Sequence, residues 1–124
     1  MSKRSFILFS IFFLTSFFYL SCRHEPLTPL SDAPVMSFAN DIEPIMISNC
    51  TQSGCHGAGG QRRELITYQD ILSEVSPGNP HGSNLYDLIT ANEIGTMPKP
   101  PNPRLSNTQI KMIYLWILQG AQNN

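Results

Sequence analysis

The sequence has few charged residues, which make up 14% of its 124 positions, and it is short of positive charge in particular. Beyond position 21 it carries six lysines and arginines against nine acidic residues, a net charge of about −3, and no basic cluster larger than the pair Arg62 and Arg63. A nucleic-acid surface needs clustered positive charge to neutralise phosphates. Nucleic acid is therefore excluded as a partner.

Aromatic residues are scarce outside the N-terminal segment, since six of the seven phenylalanines lie in the first 20 positions. The 103 residues after position 21 suffice for one small domain and are too few for a large enzyme fold. No alternating pattern typical of strands and no internal repeat is present. These absences favour a small helical domain with little core of its own.

The first 21 residues have the layout of a signal peptide. Lys3 and Arg4 precede an apolar run over residues 6–20, and Ser21 and Cys22 follow. A bilayer span needs about 20 apolar residues, so this shorter run favours export over a permanent span. A small residue followed by cysteine resembles the lipobox of bacterial lipoproteins, which implies lipid attachment at Cys22. An ordinary signal with an incidental cysteine is the alternative.

Residues 22–36 contain three prolines and no helical period, which predicts a flexible tether. The sequence therefore divides into a signal peptide (1–21), a tether (22–36) and a folded domain (37–124).

Apolar residues at helical spacing predict about four short helices in the domain, so the fold class is all-α. The first helix has Ser37 as its N-cap, takes Pro44 in its first turns and ends by Asn49. A second helix is predicted within 65–75.

Two further helices are predicted downstream. Ser83 is expected to cap the third. The last begins after the capping-box pair Ser106 and Gln109 and closes at Gly120.

The pattern that decides the chemistry is Cys50, Cys55 and the immediately following His56. In the C-x-x-C-H signature of covalent haem, two cysteines bond the porphyrin vinyl groups and the histidine binds iron from the same side. Four residues separate the thiols here in place of two, and all four are small or polar. The pattern predicts one covalent haem c per chain.

Two alternatives remain open for these residues. In an exported protein Cys50 and Cys55 could form a disulfide. A Cys₂His₂ zinc site could combine them with His56 and His81. Neither explains why His56 directly follows Cys55 or why a Met-Pro element lies downstream.

Met97, in the proline-rich loop 92–105, is the candidate for the second iron ligand, because that loop has restricted backbone freedom. His81 is the second choice. The methionines interpreted as ordinary core residues are Met36, Met46 and Met112.

Further residues are candidates for the surroundings of the haem. The apolar candidates are Ile45, Leu65, Leu72, Leu85, Leu88, Ile89, Ile113, Trp116 and Ile117. The polar candidates for holding haem carboxylates are Arg62, Arg63, Arg104, Tyr68 and Trp116.

The segments DIEPIMISNC, GCHGAGG, SNLYDLI, the Met97-Pro98 loop and IKMIYLWILQGA together resemble the small single-haem class I cytochrome c domains of bacterial envelope lipoproteins, over residues 38–121. The resemblance implies a small bundle around one haem, with the last helix packed across the first. Carried over by position, Cys50 and Cys55 are thioether sites, His56 is the proximal ligand and Met97 the distal ligand.

A histidine and a methionine fill both axial positions of the iron, which predicts a one-electron carrier rather than an enzyme. Its partners would be redox proteins of the envelope, and the lipid at Cys22 would hold it on a membrane in the periplasm or at the outer membrane. The alternatives are a haem-free, disulfide-stapled interaction module and a peroxidase-like haem domain in which Met97 is labile.

Overall fold

The computed structural model describes residues 30–60, 62–92 and 95–124. The chain divides into two compact units, one ending at Asp32 and the other comprising Ala33–Asn124. The described part of the first unit is a 3₁₀ turn, Leu30–Asp32. The predicted signal peptide and its Cys22 lie outside the described residues. Within the described ranges, no helix has the length and apolar character needed to cross a membrane.

The second unit is helical, and no β-strand occurs in the described ranges, which confirms the all-α prediction. Its elements, in chain order, are a π-helical turn (Phe38–Ile42) continuing into α1 (Glu43–Cys50), then α2 (Tyr68–Leu72), a 3₁₀ turn (Pro80–Gly82), α3 (Asn84–Thr90) and α4 (Asn107–Leu118).

The start of the first helical segment follows the prediction. The Ser37 hydroxyl accepts a 3.2 Å hydrogen bond from the Asn40 N–H, and Asp41 Oδ2 accepts one of 2.8 Å from the Ser37 N–H. Pro44 stands in the first turn of α1, directly after the π-helical turn. The helix ends at Cys50, one residue later than predicted.

The last helix also begins as predicted. The Ser106 hydroxyl accepts from the Gln109 N–H at 3.2 Å, and Gln109 Oε1 accepts from the Ser106 N–H at 2.8 Å. Regular helix ends at Leu118, and Gly120 follows with φ +98°, a conformation that glycine adopts without a Cβ penalty.

The two middle helices differ in their caps. Helix α2 is shorter than the predicted segment because Thr67 and Asp70 form a capping box that starts it late. Ser83 does precede α3, but its side chain does not cap it. The Ser83 hydroxyl instead donates to the Asn79 carbonyl at 2.8 Å and accepts from the Ser76 N–H at 2.9 Å. It therefore ties the turn between α2 and α3.

Helix α4 packs against the π-helical turn and against α3. Its buried face carries Ile113, Trp116 and Ile117. The Phe38 ring lies edge-on to Tyr68, with centroids 5.0 Å apart, and 5.7 Å from Trp116. Met36 and Met46 are buried in this core and Met112 packs against it, which confirms their interpretation as core residues.

The segment 34–39 is bound to the segment after α4. The Gln119 amide accepts from the Met36 N–H at 2.9 Å and donates to the Pro34 carbonyl at 2.8 Å. Asn124 accepts 2.9 Å hydrogen bonds from the Ser37 hydroxyl on its backbone oxygen and from the Phe38 N–H on its side chain.

Candidate functional site

The cysteines, the histidine and the methionine predicted to hold haem line one pocket. The pocket lies between the loop after α1, the residues after α2, helix α3 and the loop that carries Met97, and its empty volume, counting the open mouth, is about 940 Å³. Its apolar side chains are Leu65, Leu85, Leu88, Ile89, Met97 and Pro98.

The end of α1 and the loop after it bring the two cysteines and His56 to the pocket lining. The His56 N–H donates to the Cys50 carbonyl at 2.9 Å, and the Cys55 N–H donates to the Gln52 carbonyl at 2.8 Å. The intervening chain loops outward, and Ser53 is exposed. Hydrogen bonds thus close the four-residue spacer into turns.

Two glycines permit this tight turn. A Cβ on Gly57 would lie 2.5 Å from the Thr51 carbonyl oxygen, and one on Gly60 would lie 2.8 Å from the Cys55 carbonyl oxygen. Because both neighbours are backbone atoms, a larger residue would force the loop itself to move.

Cys50 and Cys55 are free thiols, both half-buried. Burial, and secondarily the charge of Cys55, raises the pKa of Cys50 to about 11. The Cys50 thiol is therefore protonated at neutral pH. In the structure no disulfide joins Cys50 and Cys55.

His56 is oriented by the chain that follows it. Its Nδ1 lies 2.7 Å from the Arg63 carbonyl oxygen, and its own carbonyl accepts a 2.9 Å hydrogen bond from the Leu65 N–H. A carbonyl oxygen can only accept, so in the neutral ring Nδ1 carries the proton and Nε2 the lone pair. Metal-binding histidines are typically held in this way.

Met97 is placed by its backbone. Its N–H donates to the Leu88 carbonyl at 2.9 Å, which fixes it beside α3. The Met97 side chain is half-buried, and the following Pro98 is buried.

Only four of the apolar residues predicted to surround the haem line the pocket. Of the nine apolar candidates, Leu65, Leu85, Leu88 and Ile89 line the pocket, whereas the others belong to the core or pack against it: Ile45, Leu72, Ile113, Trp116 and Ile117. Helical spacing identifies a buried face but does not show which of its residues reach the pocket.

Two of the polar candidates, Arg62 and Arg63, line the pocket. The other three are engaged elsewhere. Arg104 donates to the Ala91 carbonyl at 2.6 Å, the Tyr68 hydroxyl to the Ala121 carbonyl at 2.8 Å, and Trp116 Nε1 to the Gln122 carbonyl at 2.9 Å. The bonds of Tyr68 and Trp116 satisfy the polar groups of two aromatic side chains that pack in or against the core.

His81 is exposed and does not line the pocket; its ring lies against Tyr86 and Tyr114, with centroid distances of 5.4 and 6.0 Å. Neither its role as second iron ligand nor the zinc set fits this position. Among the described residues, no three His, Cys, Asp or Glu side chains are placed to share a metal ion.

The polar lining residues that sequence analysis missed are Asn49, Glu74, Asn84, Lys99 and Asn102. No local motif marks them, because tertiary folding alone brings them together.

Comparison of the chain with protein-family models, with curated proteins and with solved structures finds no match.

Proposed function

We propose that this chain is a small c-type cytochrome, a one-electron carrier tethered by a lipid on Cys22 to a membrane of a bacterial envelope. The observation that supports the proposal most is the convergence of Cys50, Cys55, His56 and Met97 on one pocket.

The donor set fits a covalent haem. Cys50 and Cys55 are free and half-buried at the pocket wall, and each thiol would add across a vinyl group, its sulfur forming the thioether and its proton going to the neighbouring vinyl carbon. Imidazole and thioether are ligands that iron accepts in haem proteins. When bound, the haem supplies a one-electron ferric/ferrous couple.

The axial residues would set the redox behaviour. His56 presents an Nε2 lone pair because its Nδ1 proton is committed to the Arg63 carbonyl. A Met97 thioether on the iron would favour the ferrous state, and together with His56 it would leave no coordination position for a substrate. The apolar side chains of Leu85, Leu88 and Ile89 in the pocket wall would shield a bound haem from water, which would favour the less charged iron state.

Positive charge at the pocket suits the haem carboxylates. Arg62 and Lys99 both line the pocket, and Arg63 there is paired with Glu74 at 2.6 Å. Guanidinium and ammonium groups bind carboxylates through charge-assisted hydrogen bonds.

The decisive experiment is to express the full chain with export and cytochrome maturation, and to record its intact mass and absorption spectrum. We expect a covalent adduct of one haem and a low-spin spectrum. Met97→Ala should convert the spectrum to high-spin, because one axial ligand is lost. Met112→Ala is the matched control, since Met112 lies outside the pocket lining and should leave the spectrum unchanged.

Other outcomes would contradict the proposal. A haem-free protein that has lost two thiols would be a disulfide-stapled lipoprotein. A haem protein that turns over peroxide rapidly would be a peroxidase with a labile Met97.

A further inference from the structure

Glu74 is a largely buried carboxylate in the pocket wall, and the electron-carrier proposal gives it no role. Its side chain is 17% exposed. One carboxylate oxygen accepts a 2.6 Å hydrogen bond from Arg63 Nη1, and the other accepts from the Asn84 amide. Glu74 is therefore bound on both sides, by the loop after His56 and by the first residue of α3.

Arg63 connects this carboxylate to His56. Its guanidinium binds Glu74, with a weaker 3.4 Å contact to the Ser73 hydroxyl, while its backbone carbonyl accepts from His56 Nδ1 at 2.7 Å. The Arg63 side chain is 65% exposed, so little packing holds it in place apart from this ion pair. Fixing the guanidinium restrains the carbonyl of the same residue.

The backbone of Glu74 extends the connection to α3 and to Met97. The Glu74 carbonyl accepts from the Leu85 N–H at 2.9 Å at the start of α3, and the Leu88 carbonyl of the same helix accepts from the Met97 N–H at 2.9 Å. Hydrogen bonds and one short helix thus join the two residues proposed as axial ligands.

We propose that Glu74 is a positioning residue for His56: by anchoring Arg63, it holds the Arg63 carbonyl against the His56 Nδ1–H group. This inference rests on the proposed haem function for its redox consequence. A firm Nδ1–H hydrogen bond raises the basicity of a ligating imidazole. A more basic imidazole stabilises ferric iron, so Glu74 would lower the reduction potential.

The first test uses the full chain made without haem and reads the tautomer of His56 by ¹⁵N NMR of the imidazole. We expect the Nδ1–H tautomer to dominate in the parent chain. Glu74→Gln and Arg63→Gln should each increase the Nε2–H tautomer, and the double variant should match Arg63→Gln alone. Glu64→Gln is the control: it removes a neighbouring charge but retains an oxygen to accept from the Gly59 N–H.

The second test repeats the four variants in the haem-loaded chain and measures the reduction potential. Loss of the negative charge of Glu74 would itself raise the potential. Comparing Glu74→Gln in the parent chain and in the Arg63→Gln background separates this direct effect of charge from the effect that passes through Arg63. Glu74→Gln should raise the potential in the parent and add no further rise in the Arg63→Gln background, and Glu64→Gln should have a smaller effect than Glu74→Gln.

An equal rise in both backgrounds would overturn the inference, because Glu74 would then act through space. A tautomer ratio in the haem-free chain that does not respond to Glu74→Gln would overturn it as well, whether or not the chain is able to acquire haem. A tautomer ratio that responds through Arg63 in a chain that never acquires haem would support the positioning role and refute the haem function.

Discussion

The Met97 N–H donates a 2.9 Å hydrogen bond to the carbonyl oxygen of Leu88, in the last turn of α3. The final four carbonyls of an α-helix lack partners within the helix, so the loop satisfies a group that would otherwise be unpaired. The bond involves only backbone atoms. The position of residue 97 is therefore held independently of its side chain, and the side chain can be exchanged without releasing the loop.

We expect Met97→His in the haem-loaded protein to keep a low-spin spectrum and to lower the reduction potential. The imidazole replaces a thioether that favours ferrous iron, and axial ligands move haem potentials over a span of about 0.8 V, of which this exchange should use a part. Spectroelectrochemical titration measures the shift. Met97→Leu, which offers no ligand, is the control and should give a high-spin spectrum. An unchanged potential in Met97→His would show that Met97 is not an iron ligand.

Gly57→Ala should reduce the yield of haem-loaded protein severely. Its Cβ would lie 2.5 Å from the Thr51 carbonyl oxygen, so the turn from Thr51 to Gly57, which carries Cys55 and His56, must open. Haem-stained gels and intact mass give the loaded fraction. Ser53→Ala, at an exposed position of the same loop, should load normally. Normal loading of Gly57→Ala would show that the loop tolerates a different path.

In protein made without haem, Cys50 should be alkylated slowly below pH 11. The thiolate is the reactive form, and burial raises the pKa of Cys50 from the ordinary 9.0 to about 11. A raised pKa keeps the unreactive thiol to higher pH, so at pH 9 labelling should be roughly 50-fold slower than for an ordinary thiol. Iodoacetamide labelling followed by peptide mapping measures the rate.

The same chain in guanidinium chloride provides the control for this labelling, because unfolding removes the burial. There the rate should rise through about pH 9, as for an ordinary cysteine. A midpoint near pH 9 in the folded chain would mean that Cys50 is solvated.

Ser106→Ala should destabilise the domain by about 1 kcal/mol, because the hydroxyl that accepts from the Gln109 N–H is lost. In a domain of this size that corresponds to about 4–8 °C in Tm. Thermal unfolding followed by circular dichroism measures it. Thr108→Ala, at an exposed position of the same first turn, should change Tm little. Equal effects of the two substitutions would argue against the capping box.

The parts of the fold that could be predicted from sequence are those decided locally. The Ser106–Gln109 box and the apolar stripe of α4 are complete within one helix, so both follow from spacing. The Thr67–Asp70 capping box is also local, and its T-x-x-D pattern is present in the sequence, but it is not among the predicted caps. Ser83 does stand at the N-cap position of α3, as predicted, but its hydroxyl binds Ser76 and Asn79, partners that only the folded turn supplies.

The candidate site divides in the same way. Cys50, Cys55 and His56 stand in one motif, and Met97 is marked by its loop, so their convergence could be anticipated. Glu74 could not, because its partner Arg63 is eleven positions earlier and carries no local signal. Tyr68 and Trp116 were predicted to hold haem carboxylates, but they lie outside the pocket lining and their polar groups donate to backbone carbonyls.

The bonds between the segment 34–39 and the residues after α4 have a mechanical consequence. A pull on the chain at Ala33 reaches Pro34 and Met36 first, and both are held by the Gln119 amide. Beyond them, Ser37 and Phe38 are held by Asn124. Tension must break these attachments one after another before it stretches α1 and the loop of Cys50, Cys55 and His56. In a domain tethered through its upstream segment, these hydrogen bonds would carry the load from the tether, and the pocket residues would not be strained.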